Sequence, residues 1–272
     1  MEIWQYDFMW RALGAGLLVG MVCPLVGFFI TLRRMSMLAD ALSHVCLSGV
    51  TAGLFLGAQP VLVASLFAVG GSLLLEGLRE KYKNYAELSI AIVLSTGVAV
   101  GAVLLGLGDG LGGGVMSYLF GSIVLISAGD ILVITAIGLP VLMLTLFCTK
   151  ELFCTTFDED AARVAGLPVR LINAGFAALT ALTIAVSIRI VGILLASSLM
   201  VLPVAAAMRL ARGFRGTLVA SVISGEAAVV TGLVFSFYLD LPPGGTIVLT
   251  LVLMLLGVLL LASRRVPGRE GE

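Results

Sequence analysis

The chain has 272 residues, of which 60% are hydrophobic and 12% charged, and its mean hydropathy is +1.16. Soluble domains carry about 25% charged residues, so this composition excludes a water-soluble globular protein and describes an all-α, polytopic membrane protein, with residues 1–272 as a single transmembrane domain. The formal net charge is zero. It gives no reason to expect a nucleic-acid partner and leaves the placement of the charges as the informative feature.

Apolar runs of about 17–25 residues are the unit that crosses a bilayer. The start, MEIWQYDFMWRALG, is acidic where a removable signal peptide is basic, so the first run, residues 12–32, is expected to be retained. A second run covers residues 38–56, and Gln59-Pro60 separates it from a third that ends near Leu78. After the polar stretch REKYKNYAE comes a fourth run, residues 88–107, and a glycine-rich loop, GLGDGLGGG. The segment MSYLFGSIVLIS is too short to span and reads as interfacial or re-entrant. A fifth run covers residues 131–148, followed by the longest polar stretch, TKELFCTTFDEDAARVAGLPVR. Runs six and seven, residues 171–188 and 190–208, are separated only by Arg189, which predicts a tight hairpin or a broken helix there. The eighth covers residues 217–238. The turn LPPGG leads to the ninth, residues 246–262. The expectation is about nine transmembrane helices, eight to nine with the break at Arg189 counted either way.

Basic residues set the orientation. With the loops numbered alternately and Arg33 and Arg34 placed inside, all of the 16 Lys+Arg except Arg11 and Arg189 fall on the cytoplasmic side. This predicts an outside N-terminus and a cytoplasmic C-terminus.

Chemistry concentrates in the second run. Asp40 and His44, the chain's one histidine, are spaced i, i+4 and share a helix face. An ionisable pair inside a span is costly and marks a functional site. One carboxylate with one imidazole is half a metal site, a proton relay or a packing pair. Glu226, inside the eighth run, reads as a further ion contact or as a buried packing group. Arg189 reads as a partner for an acid such as Asp130 or Asp240, as a contact for an external protein, or as a snorkelling side chain. Cys23, Cys46, Cys148 and Cys154 form no CxxC pair and read as buried small hydrophobes, with Cys46 turned away from His44. Gly106-Leu107-Gly108-Asp109 spells G-x-G-D, but intramembrane aspartyl proteolysis needs two facing carboxylates at membrane depth. Asp109 sits in the glycine loop and Asp7 precedes the first run.

The cytoplasmic stretch about 157–169, FDEDAARVAGLPV, contains a helix start at Asp158, Glu159 and Asp160 and a stop at Gly166 and Pro168. A short helix outside the bilayer suits docking into a partner's groove. No G-x-x-x-x-G-K-[ST] occurs, so if ATP drives this chain, another chain hydrolyses it.

Five segments in order carry a resemblance: RRMSMLADALSH, SYLFGSIVLIS, FDEDAARVAGLPVR, ALTIAVSIRIVGILLASSLMVLPVAAAMRL and YLDLPPGGTIVL. Together the chain resembles, over nearly its whole length, the membrane permease of the bacterial zinc/manganese/iron-type metal-ion ABC importers. The resemblance implies a homodimer in the bacterial cytoplasmic membrane, with two ATP-binding subunits on the cytoplasmic side and an extracytoplasmic metal-binding protein. It implies no cofactor of its own: ATP is bound by the partner, and a divalent metal is the substrate. It assigns Asp40 and His44 to the ion path. It assigns coupling to the ATPase to Asp158, Glu159, Asp160, Ala161, Arg163, Val164, Gly166, Leu167 and Pro168. Val45, Cys46 and Ser48 depart from the family's usual Ala, Val and Pro, which implies a straighter second helix. A proton-coupled secondary transporter, which would show inverted repeats, and a permease for siderophore or cobalamin chelates are the alternatives.

Overall fold

The computed structural model describes residues 7–82, 85–108, 110, 112–122 and 124–264. Tyr6, Lys83, Asp109, Arg265 and Arg269 lie outside them. The described residues form twelve helices and no strand: α1 (Asp7–Leu32), α2 (Ser36–Phe55), α3 (Pro60–Lys81), α4 (Ala86–Leu107), α5 (Gly112–Phe120), α6 (Ala128–Phe147), α7 (Thr149–Phe157), α8 (Glu159–Val164), α9 (Val169–Val191), α10 (Ala196–Leu210), α11 (Phe214–Leu239) and α12 (Pro243–Arg264).

Eight of these are long and apolar enough to cross a membrane: α1, α2, α3, α4, α6, α9, α11 and α12. The 15 residues of α10 span only about 22 Å at 1.5 Å per residue, against about 30 Å of hydrocarbon. Its two ends nevertheless join opposite ends of the bundle. The approach to α10 is bonded to α5, with the Ile193 amide donating to the Tyr118 carbonyl at 2.9 Å. Beyond its other end, the Phe214 ring packs edge-on against Phe28 and Phe153. With α10 added to the eight long helices, the described chain makes nine passes.

Contacts between loops define those two ends. At the first end, Arg33 bonds to Thr155, Thr156 and Asn173, and Arg170 holds Glu80 through two 2.6 Å bonds. At the second end, Arg189 meets Asp130, and the amide of Ser122 donates to the Arg189 carbonyl at 3.3 Å. By alternation of helix ends, Arg33, Arg34, Arg79, Lys150, Arg163, Arg170, Arg209, Arg212 and Arg215 gather at the first end, the grouping that the basic-residue pattern predicted.

The break expected at Arg189 lies elsewhere. α9 continues through Arg189 to Val191, and the chain bends at Gly192, whose φ is +88°. A left-handed residue at this junction must be glycine for a second reason as well: a Cβ would lie 2.6 Å from the Phe120 carbonyl carbon. α5 does not traverse, as its length predicted, and docks on this bend. Residues 149–157, read from sequence as polar loop, form the helix α7 instead. α1 also begins at Asp7, a turn before the apolar run read from the sequence.

Burial separates inner from outer helices. α1 and α2 bury 72% of their most apolar 18-residue stretches, and α4 and α12 only 22%. On α12, Leu249, Leu253, Leu256 and Leu260 all point outward. Only an apolar solvent tolerates such a face, and the chain is a multi-pass membrane protein.

Candidate functional site

α2 runs without interruption from Ser36 to Phe55. Glycines let its neighbours approach: a Cβ on Gly49 would lie 2.9 Å from Phe67 Cβ on α3, and one on Gly97 of α4 would lie 2.9 Å from the Val45 amide nitrogen. Ser48 adds a short hydrogen bond to the Gly97 carbonyl. These contacts bury most of α2 and leave one stripe open, Met37, Asp40, His44 and Leu47. The 3, 4, 3 spacing is that of a single helix face.

Asp40 and His44 therefore share the open face of α2, both partly exposed. They do not satisfy each other. No hydrogen bond joins them among the described residues, and Nδ1 of His44 is buried without a partner. The N-cap position of α2 is Met35, and no side-chain hydrogen bond caps it. Cys46 faces the core, fully buried. Among the described residues, no group of three or more His, Cys, Asp or Glu side chains stands close enough to hold a metal ion. One chain thus offers a carboxylate and an imidazole on this face, an incomplete set for a four-coordinate ion.

Glu226 is not part of this constellation. It lies on α11, which packs on α1, α10 and α12. Its carboxyl group sits over Gly20 of α1, where an added Cβ would lie 3.2 Å from Glu226 Cδ. Both carboxyl oxygens are buried without a hydrogen-bond partner. The cysteines divide as well: Cys23 and Cys46 are buried, Cys148 is intermediate, and Cys154 is exposed, against the expectation that all four are buried.

The first end carries the short helix α8. Asp158 caps α8, its Oδ1 accepting from the amides of Asp160 at 3.0 Å and Ala161 at 2.9 Å. The helix stops in a Schellman motif, with the Leu167 amide donating to the Ala162 carbonyl and the Gly166 amide to the Arg163 carbonyl, both at 3.0 Å. Gly166 takes φ +83°, and Pro168 then stands at the N-cap of α9. Ala162 is the one buried residue of α8, and Val164 is 91% exposed. Asp158, Glu159, Asp160, Ala161, Arg163, Val164, Gly166, Leu167 and Pro168 thus form one compact projecting element.

Beside it lies a site that sequence reasoning missed. The Arg33 guanidinium makes three hydrogen bonds: Nε to Thr156 Oγ1 at 3.1 Å, Nη2 to Thr155 Oγ1 at 2.8 Å, and Nη1 to Asn173 Oδ1 at 2.9 Å. It also stacks 4.7 Å over the Phe176 ring. Asn173 Nδ2 in turn donates to Glu159 Oε1 at 3.1 Å. Burial pulls the guanidinium down to about 10, and the charge of Glu159 opposes that fall. The arginine pair was legible as a topological signal; its partners, more than a hundred residues away in sequence, were not.

At the second end Arg189 is a pairing residue and does not snorkel. Nε meets Asp130 Oδ2 at 3.2 Å, another nitrogen donates to the Leu125 carbonyl, and the guanidinium stacks 4.6 Å over Tyr118. Asp130 closes a capping box with Ser127. Asp240, the other acid considered for Arg189, occupies the left-handed C-cap of α11 with φ +53°.

Comparison with known proteins follows the same geometry. The chain is 38% identical, over 95% of its length and 97% of the relative, to a protein of Treponema pallidum named "Probable metal transport system membrane protein". It is 30% identical to the manganese transport system membrane protein MntC of Halalkalibacterium halodurans, over 91% of this chain and 85% of that one. The solved structure of PsaBC from Streptococcus pneumoniae in complex with Fab superposes with a TM-score of 0.84 at 28% identity, covering 94% of this chain and 92% of that chain. A family model matches residues 5–262, and the chain accordingly belongs to the ABC 3 transport family.

Proposed function

We propose that this chain is the membrane permease of an ATP-driven importer of divalent transition-metal ions, Zn²⁺, Mn²⁺ or Fe²⁺. Relatives named for manganese and for zinc uptake support the substrate class. The observation that carries the reading is the open face of α2, which holds Asp40 and His44, unbonded to each other, inside a membrane-crossing helix.

Two copies of the chain, related by a two-fold axis, bring two carboxylates and two imidazoles together. That set suits Zn²⁺ or Mn²⁺ and completes what one chain leaves incomplete. A transport site must also release its ion, so weak binding by few protein ligands is an advantage. The first end faces the cytoplasm, where the basic residues gather. There α8 seats in a groove of an ATP-binding subunit, which supplies the hydrolysis. The second end faces outward and receives metal from an extracytoplasmic binding protein. The N-terminus is outside and the C-terminus cytoplasmic. Glu226, set against α1, serves packing and not the ion path.

The test is uptake of radiolabelled Zn²⁺ and Mn²⁺ into proteoliposomes carrying the permease, its ATP-binding subunits and the loaded binding protein. His44→Ala is expected to lower uptake of the transported metal at least tenfold, about 1.4 kcal/mol, while the complex still assembles. Asp40→Asn should act in the same direction, and Glu226→Gln should leave uptake near the wild-type rate. Unchanged uptake in His44→Ala would remove α2 from the ion path. Failure of the wild type to move either metal would overturn the substrate class.

A further inference from the structure

Two helices flank α8, and Arg33 holds both. Thr155 and Thr156 lie in the last turn of α7, and Asn173 lies in the first turn and a half of α9. Arg33 itself belongs to neither. It sits in the turn between α1 and α2, where Arg34 takes the left-handed conformation at φ +57° and the Met35 amide donates back to the Ile30 carbonyl at 3.0 Å. That turn is tight, and α2 begins three residues after Arg33. Asp40 lies four residues, about 6 Å of helical rise, beyond the start of α2 at Ser36.

The connection to α8 is directional as well as close. Glu159, the first residue of α8, accepts from Asn173 Nδ2, and the same amide accepts from Arg33 through Oδ1. The one buried side chain of α8 is Ala162, so its remaining grip on the bundle is polar. Every hydrogen-bonding partner of the Arg33 guanidinium is neutral, and no salt bridge involves Arg33 among the described residues. Hydrogen bonds of this kind break and re-form at lower cost than a fully paired buried ion.

We infer that Arg33 is the positioning residue through which a displacement of α8 reaches the Asp40–His44 face of α2, acting by its simultaneous hold on the end of α7 and the start of α9. This inference rests on the permease reading above and adds a route for coupling. It needs a planar guanidinium: a lysine ammonium is a point donor and cannot reach three acceptors on two helices in a fixed fork. It also needs Asn173 as a two-sided bridge, since its carboxamide accepts from Arg33 through Oδ1 and donates to Glu159 through Nδ2.

The experiment measures metal ions moved per ATP hydrolysed in proteoliposomes holding the complete complex, with radiolabelled Zn²⁺ or Mn²⁺ and phosphate release followed in the same sample. Arg33→Lys and Asn173→Asp are each expected to lower that ratio about tenfold, within the usual range of coupling between distant sites. Asn173→Asp keeps an acceptor for Arg33, now charged, and turns the hydrogen bond to Glu159 into repulsion between two carboxylates, so it carries the test if Arg33→Lys fails to assemble. A ratio unchanged in both single variants, including the case where uptake and hydrolysis fall together, overturns Arg33 as a coupling residue and leaves the permease reading intact. Absence of metal uptake by the wild type overturns both.

Discussion

The two ends of the bundle each hold an arginine by hydrogen bonds and ring stacking, and they hold it differently. Arg189 at the second end is 9% exposed and Asp130 is 5% exposed, and the two are paired directly. Arg33 at the first end is half-buried among two threonines, an asparagine and a phenylalanine ring, and its nearest restoring charge, Glu159, acts across Asn173. A directly paired ion in a buried setting resists separation, because either partner left alone is a buried charge. A guanidinium held by neutral acceptors loses less with each bond it gives up. The second end is therefore built as a clamp on α5 and the α9–α10 bend, and the first end as a joint.

The largest effect expected from this contrast is at the clamp. Asp130→Asn leaves the Arg189 charge buried and unpaired, a loss of about 3–5 kcal/mol, readable as a lowered thermal unfolding midpoint in detergent. Arg189→Met with Asp130→Leu removes both charges and should cost much less than either single change. If Asp130→Asn costs no more than a surface pair, under about 1 kcal/mol, the clamp reading fails.

Next come the glycine turns. Gly192→Ala combines φ +88° with overlap on the α5 backbone and should cost about 2–3 kcal/mol. Gly166→Ala at the first end has a similar φ of +83° but open space around its Cβ. It should cost only about 1 kcal/mol. Comparable losses at both positions would show that packing at the second end adds nothing beyond backbone strain. The smallest change is Asp158→Ala, which removes the cap of α8 and should weaken that helix by about 1 kcal/mol. Co-purification with the ATP-binding subunits is the sensitive measurement, because under the proposed docking a frayed α8 must be re-ordered.

Much of this was legible before any fold was known, and the limits fall at particular residues. The Asp40–His44 pairing of direction follows from i, i+4 spacing on a helix, and the structure places both on one stripe. The α8 boundaries follow from Asp158, Gly166 and Pro168, each acting within a few residues of itself. Glu226 was open between ion contact and packing group, and its neighbour Gly20 lies on another helix. Arg189 was open among three roles. Its place depends on Asp130, 59 residues away, and on a bend that moved to Gly192 to keep it inside.

The sequence by itself determined the membrane class, the eight to nine expected passes, the sorting of basic residues to one end, and the face shared by Asp40 and His44. Each rests on a local rule, either hydropathy over the thickness of a bilayer or the period of a helix. Only the tertiary structure decided which polar groups satisfy one another: Arg33 with α7 and α9, Arg189 with Asp130, and neither Asp40 nor Glu226 with His44. Inside a membrane an unsatisfied polar group is costly wherever it lies in the chain. Its partner is chosen by which helices pack together, and one-dimensional patterns do not carry that information.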